Sequence, residues 1–164
     1  MTTKVNQDTT HTKQYPGLFR RIGAWIYDAL VVAAVLMLAG GLAMAVVAIL
    51  LNAGILTLAP YIDASEYLSK HPVAAPLYSM YLALSVIGFY AYFWCKAGQT
   101  LGMRAWKLRI QNADGSNIRL TQALIRMATS AFGLGNLMVP FSTTKQSFQD
   151  LMAECEMVLL PKPN

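Results

Sequence analysis

From Ile22 to Leu58 the chain carries a single charge, Asp28, and this stretch limits the accessible folds more than any other feature. A membrane-spanning helix needs about 20 apolar residues, so the run can form one long tilted helix or a tight two-helix hairpin. A hairpin turning at Gly40-Gly41 would leave turn backbone facing lipid. It would also return Asp63 and Glu66 to the side where bases are favoured. One long helix that leaves the membrane near Asn52 to Gly54 is therefore expected. Composition agrees, with 55% hydrophobic and only 13% charged residues, against about 25% charged in an average soluble domain. At 164 residues the chain is one domain. Enclosing a wide conduction route would then require an oligomer or a partner membrane protein.

The flanking segments set the expected topology. Residues 1–17 are read as a flexible cytoplasmic tail closed by a turn at Tyr15-Pro16-Gly17, and residues 18–160 as the membrane domain. The long apolar run exceeds the h-region of a cleaved signal peptide, so it is read as a signal anchor. Ala59 to Pro76 holds three prolines and few bases, as expected of an extracytoplasmic loop. A second apolar run, Leu77 to Trp94, has aromatic residues that suit interfacial belts, and Lys96 marks the return. Six of the thirteen bases lie between Lys96 and Arg126, which places that segment on the cytoplasmic side. Within it, Leu108-Ile110 and Ile118-Leu120 alternate around the turn signal Asn112-Ala113-Asp114-Gly115, predicting a small cytoplasmic β-hairpin. Thr121 is the expected cap of the helix that follows. The last apolar block, Leu124 to Phe141, is broken by Gly133, Gly135 and Pro140, and two readings stand open for it: a third span or a re-entrant segment. The expected fold class is thus an all-α membrane protein with two full transmembrane helices, a third membrane segment and the hairpin.

Asp28 is the chemical anomaly. An ionised acid near the bilayer centre costs roughly 2.5–3.5 kcal/mol, so it needs a partner or a function. Arg21 lies two helical turns earlier on nearly the same face and is the first expected partner. Arg126 is a second basic candidate, as counter-ion to Asp28 or Asp150 or as a side chain snorkelling to headgroups. Asp150 either faces the internal site or sits on a wet surface helix with Glu154 and Glu156. Gly98, Thr100 and Gly102 lack the Lys-Ser/Thr ending of a phosphate loop. They fit a sharp structural turn in which glycine permits positive φ and close helix approach. His11, His71, Cys95 and Cys155 have no ligand spacing, so no metal and no cofactor is expected. No nucleophile–base or paired-carboxylate arrangement emerges, and no enzyme is expected. The net charge of +5 points to anionic lipid headgroups and not to nucleic acid.

Three elements recur in a known order: Arg21-Ile22-Gly23-Ala24-Trp25-Ile26-Tyr27-Asp28, then Gly98-Gln99-Thr100-Leu101-Gly102 with Asp114-Gly115 behind it, then Gln149-Asp150. Over about Leu18 to Leu160 the chain resembles the RDD family of bacterial multi-pass membrane proteins, named for one Arg and two Asp. The resemblance implies that Arg21, Asp28 and Asp150 are the name-giving residues and that the protein resides in the bacterial inner membrane with its N-terminus in the cytoplasm. Family members often carry His before the second Asp, where this chain has Gln149. The loss of that imidazole removes a proton-exchanging group. Two functions are carried forward: a small ion or solute transporter using an Arg/Asp cluster, and a non-transporting scaffold or accessory subunit whose Arg/Asp pair is structural.

Overall fold

The computed structural model describes residues 13–142 and 145–161. Residues 1–12 of the expected tail lie outside the described residues. The apolar run forms one helix, α1 (Leu18–Asn52), of 35 residues. Gly40-Gly41 does not interrupt it, because an apolar helix in lipid keeps every backbone hydrogen bond inside itself. At 1.5 Å per residue it is about 52 Å long, well beyond the roughly 30 Å of a hydrocarbon core. One end of it must therefore stand outside the apolar layer.

A short helix, α2 (Ala64–Lys70), follows. Its first turn is capped by Asp63, which accepts from the Glu66 backbone N–H at 2.8 Å. α3 (Ala74–Ala97) is the second helix long and apolar enough to span. It runs antiparallel to α1. Tyr78, near its start, reaches Gly40, while Tyr90, three turns on, shares a cavity with Asp28.

At its C-terminal end α3 gives way to the segment that holds most of the packed core. Gly98 closes the helix in the left-handed conformation, with φ 66°. Its carbonyl accepts from the Ile110 backbone N–H at 2.7 Å. After Gly98 come the five-residue helix α4 (Leu101–Ala105) and the strand β1 (Leu108–Gln111). The remaining elements are α5 (Leu120–Thr129), a run of 3-10 turns (Ala131–Phe141), α6 (Phe148–Met152) and β2 (Glu156–Leu159). Leu108, Ile110, Ile118, Ala123, Cys155 and Met157 form the buried centre of this cap, with Ala24 of α1 and Trp94 of α3 packed into it. The middle of both long helices stays largely exposed, as lipid-facing helices do.

Several expectations are corrected. The hairpin partner of β1 is not Ile118-Leu120 but the C-terminal strand β2, antiparallel, with Leu108 opposite Leu159 and Ile110 opposite Met157. The turn at Asn112 does form, through the Gly115 N–H to the Asn112 carbonyl and the Ser116 N–H and hydroxyl to Asp114. The chain then starts α5 instead of pairing back, because the Gln122 side chain accepts the Arg119 backbone N–H at 2.9 Å. Thr121 is thus inside α5 and not its cap. The block Leu124 to Phe141 is not one helix. α5 has 10 residues and the 3-10 run 11, so neither reaches the length of a span.

The expected tail is also shorter at its inner end. Lys13 donates to Glu156 at 2.6 Å, the Tyr15 hydroxyl to the same carboxylate at 3.0 Å, and the Leu159 N–H to the Gln14 carbonyl at 2.8 Å. Residues 13–15 lie along β2, and Glu156, which the surface-helix alternative put on a wet face, is buried among them.

Candidate functional site

Two polar clusters join the cap to the long helices, and neither is the pair expected from spacing. Arg21 makes no ion pair with Asp28. Its Nη1 donates to Asp150 Oδ2 at 2.6 Å and to the Ser147 hydroxyl at 3.2 Å, and its Nη2 donates to the Lys145 carbonyl at 3.0 Å. The guanidinium is turned away from α1 toward the start of α6, which offers three acceptors in one fork-shaped arrangement.

Asp150 is the centre of the first cluster. Its other oxygen accepts from Arg126, and the Ser147 backbone N–H donates to Oδ2 at 3.0 Å. All three charged residues are at least 98% buried. Arg126 also lies 5.5 Å from the Trp94 ring and donates to the Cys155 sulfur at 3.2 Å. Burial alone would push the Asp150 carboxyl up. The charges of Arg126 and Arg21, with the Ser147 bonds, outweigh it and bring the group down to about 2. Arg126 is a buried counter-ion and does not snorkel. Asp150 faces inward, and of the three acids in that stretch only Glu154 is exposed.

The second cluster surrounds Asp28. The Thr100 hydroxyl donates to Oδ2 at 2.5 Å and the Gly102 backbone N–H to Oδ1 at 2.9 Å. Thr100 also caps α4, its oxygen accepting from the Met103 N–H at 3.2 Å. A carboxylate with both oxygens bonded by uncharged donors is satisfied without a counter-ion. Gly102 is required by proximity. A Cβ there would overlap the Ala24 carbonyl and approach Asp28 Oδ1 to 2.8 Å. The Gly-x-Thr-x-Gly element is therefore the receptor for Asp28, with Gly98 turning the chain, Thr100 donating and Gly102 admitting the backbone.

Between the clusters lies a cavity of about 380 Å³ bounded by α1, α3, α5, the 3-10 run and α6, with Trp25, Asp28, Tyr90, Trp94, Asn136 and Gln149 among its walls. Gln149 donates to Asn136 at 3.1 Å. Sequence reasoning missed Ser147, Trp94 and Cys155 as members of the first cluster. Ser147 had a readable signal, since Ser three residues before Asp150 is a helix-start pattern. Trp94 and Cys155 had none, because a belt aromatic and a buried thiol look the same whatever they touch. Among the described residues no group of His, Cys, Asp and Glu is placed to hold a metal.

The model of the RDD family matches residues 15–154, and the chain belongs to that family. Neither a curated protein nor a solved structure matches it.

Proposed function

We propose that this RDD-family chain is an integral membrane scaffold or accessory subunit, non-enzymatic, in which two buried clusters, one centred on Asp150 and one on Asp28, lock a cytoplasmic cap onto a two-helix membrane hairpin. One observation carries the reading: all four oxygens of Asp28 and Asp150 are occupied by donors from other elements. A carboxylate whose two oxygens are each held by fixed donors is a tie within the fold, and a cation arriving at it would have to share those oxygens with the donors that hold the elements together.

The length of α1 supports the same picture. From Ala29 to Asn52 the helix has enough residues to cross the apolar layer, which leaves Arg21 to Asp28 at its edge. α5 and the 3-10 run, each too short to span, fit a re-entrant pair shielded by α1, α3 and α6. Charge supports an orientation with the N-terminus in the cytoplasm, since every described Lys and Arg except Lys70 sits on elements at the Arg21 end, and bases are favoured on that side.

The second reading, a small ion or solute transporter, is favoured by one observation: Asp28 lines the cavity. A single substitution separates the two. Asn at position 28 keeps an acceptor for the Gly102 N–H and can donate to Thr100, but it carries no charge. The lock reading expects Asp28→Asn to melt closer to wild type than Asp28→Ala in detergent. It also expects neither wild type nor variant to carry a pH-gradient-driven cation flux in proteoliposomes. A flux in wild type that vanishes in folded Asp28→Asn establishes the transporter instead. A double-mutant cycle adds a check on the lock, with Arg21 and Asp150 coupled by at least about 1 kcal/mol and Arg21 and Asp28 additive.

A further inference from the structure

Three buried polar groups on the cavity wall are left without a partner. Among the described residues, Arg21 Nε, Trp94 Nε1 and Gln149 Oε1 meet no hydrogen-bond partner, although each residue is more than nine-tenths buried and each lines the same cavity. A buried donor left unpaired costs about 1–3 kcal/mol, and two such donors beside one void mark a place where an acceptor belongs. Charge at this end points the same way. Arg21 and Arg126 carry two positive charges around Asp150, the one carboxylate they share, an excess of one positive charge here, with the Asp28 carboxyl the acid that lines the rest of the cavity.

The opposite end is of another kind. Along α3, Val86 and Ile87 lie about two turns from Trp94 toward the middle of the membrane helices, and Trp25 lines the same cavity from α1. Trp25 and Ile87 are part-exposed on the flank that the helices present to lipid. Asp28 also borders the cavity, but its oxygens are bonded to Thr100 and Gly102. Hence the cavity is polar and basic at the cap, is bordered by the hydrogen-bonded Asp28 at the level of Tyr90, and is apolar beyond it along α3. Its volume lies within the roughly 300–1,000 Å³ range of small-molecule sites.

We infer that this cavity binds a single-chain amphiphile with an anionic oxyacid headgroup, a carboxylate or a phosphate. The headgroup accepts from Arg21 Nε and Trp94 Nε1, and the first methylenes of the chain lie against Val86, Ile87 and Trp25. The site is independent of whether the clusters around Asp150 and Asp28 are purely structural, so a flux found in proteoliposomes leaves it standing.

The test is a titration of the purified full-length protein, in a neutral maltoside detergent, with dodecyl phosphate, inorganic phosphate and dodecanol, followed by calorimetry. Saturable one-to-one binding of dodecyl phosphate is expected, with the other two at least about tenfold weaker. Trp94→Phe keeps the ring against Arg126 and removes one donor, and it should weaken dodecyl phosphate about tenfold. Val86→Trp, which fills the apolar end from the membrane side, should abolish chain-dependent binding and serves as well if the first variant fails to fold. Equal binding of dodecanol shows an apolar slot without headgroup recognition, and equal binding of inorganic phosphate shows a site for a free anion; either overturns the inference. So does the absence of saturable binding, or wild-type affinity in both folded variants.

Discussion

At the scale of single residues, Asp150 is the acid on which the cap depends. Its two oxygens receive Arg126, Arg21 and the Ser147 N–H. Removing one partner from such a buried group strands the others, which typically costs about 3–5 kcal/mol. The depressed carboxyl sets a pH dependence with a definite sign. Its folded value of about 2 is below the ordinary 3.8, so the stabilisation is fully present above about pH 4 and is lost as pH falls toward 2. The amount is about 2 kcal/mol. Glu156 is also held low, since burial pushes it up but Lys13, Gln111 and Tyr15 outweigh that. Melting temperatures in detergent across pH 2–6 should therefore fall for wild type on acidification, and the fall should be smaller in Asp150→Asn than in Glu156→Gln. A profile of Asp150→Asn parallel to wild type would refute the assignment. The residues themselves were legible in the sequence, as the family's Arg and two Asp. Their pairing was not. Helical spacing puts Arg21 and Asp28 on one face, but a long guanidinium side chain follows the better acceptors, and these came from a segment more than a hundred residues away.

At the scale of elements, the connection from α3 to β1 shows how a motif can be recognised without its purpose. Gly-x-Thr-x-Gly was readable as a structural turn. The structure adds that this turn is built around an acid from α1. The glycines have separate reasons: Gly98 holds a positive φ, and Gly102 makes room for the Ala24 carbonyl and Asp28. Because α1 backbone cannot yield, Gly102→Ala should destabilise by about 1–3 kcal/mol, as overpacking does. Gly41→Ala is a useful comparison, because Gly41 is helical with open space around it, and it should leave stability unchanged or raise it slightly. Thermal melts of the two variants in detergent measure the difference, and a Gly102→Ala protein as stable as wild type would contradict the close approach. The strand pairing shows the opposite case. Alternation at Leu108-Ile110 predicted a strand correctly, but the neighbouring alternation at Ile118-Leu120 named the wrong partner. The Gln122 side chain holds the Arg119 N–H and starts a helix there, which leaves the edge of β1 to the C-terminal strand.

At the scale of the whole molecule, the chain divides into a membrane half with little packed core and a cap that holds most of it. Apolar helix surface can remain exposed in lipid, whereas β1, β2, α4, α5 and α6 must bury their apolar faces against one another and against Ala24 and Trp94. The orientation proposed from the distribution of bases puts the cap on the cytoplasmic side and α2 on the opposite one. Single cysteines test this in cells, with Cys95 and Cys155 replaced by Ser. Ser65→Cys should react with a membrane-impermeant maleimide added outside intact cells, and Ser116→Cys only after the cells are opened. The reverse pattern would invert the topology.

The amino-acid sequence by itself determined the two long helices, the polar side on which the bases gather and the identity of the charged residues. These depend on the length of apolar runs and on charge balance, which are local or additive properties of the chain. Only the tertiary structure decided which donor meets which carboxylate, that β2 and not Ile118-Leu120 completes the sheet, and that the third apolar block breaks into α5 and 3-10 turns. It also decided that a cavity with unpaired donors opens between the clusters. Those outcomes depend on which distant segments compete for the same acceptors and edges, a competition settled only when the chain is folded.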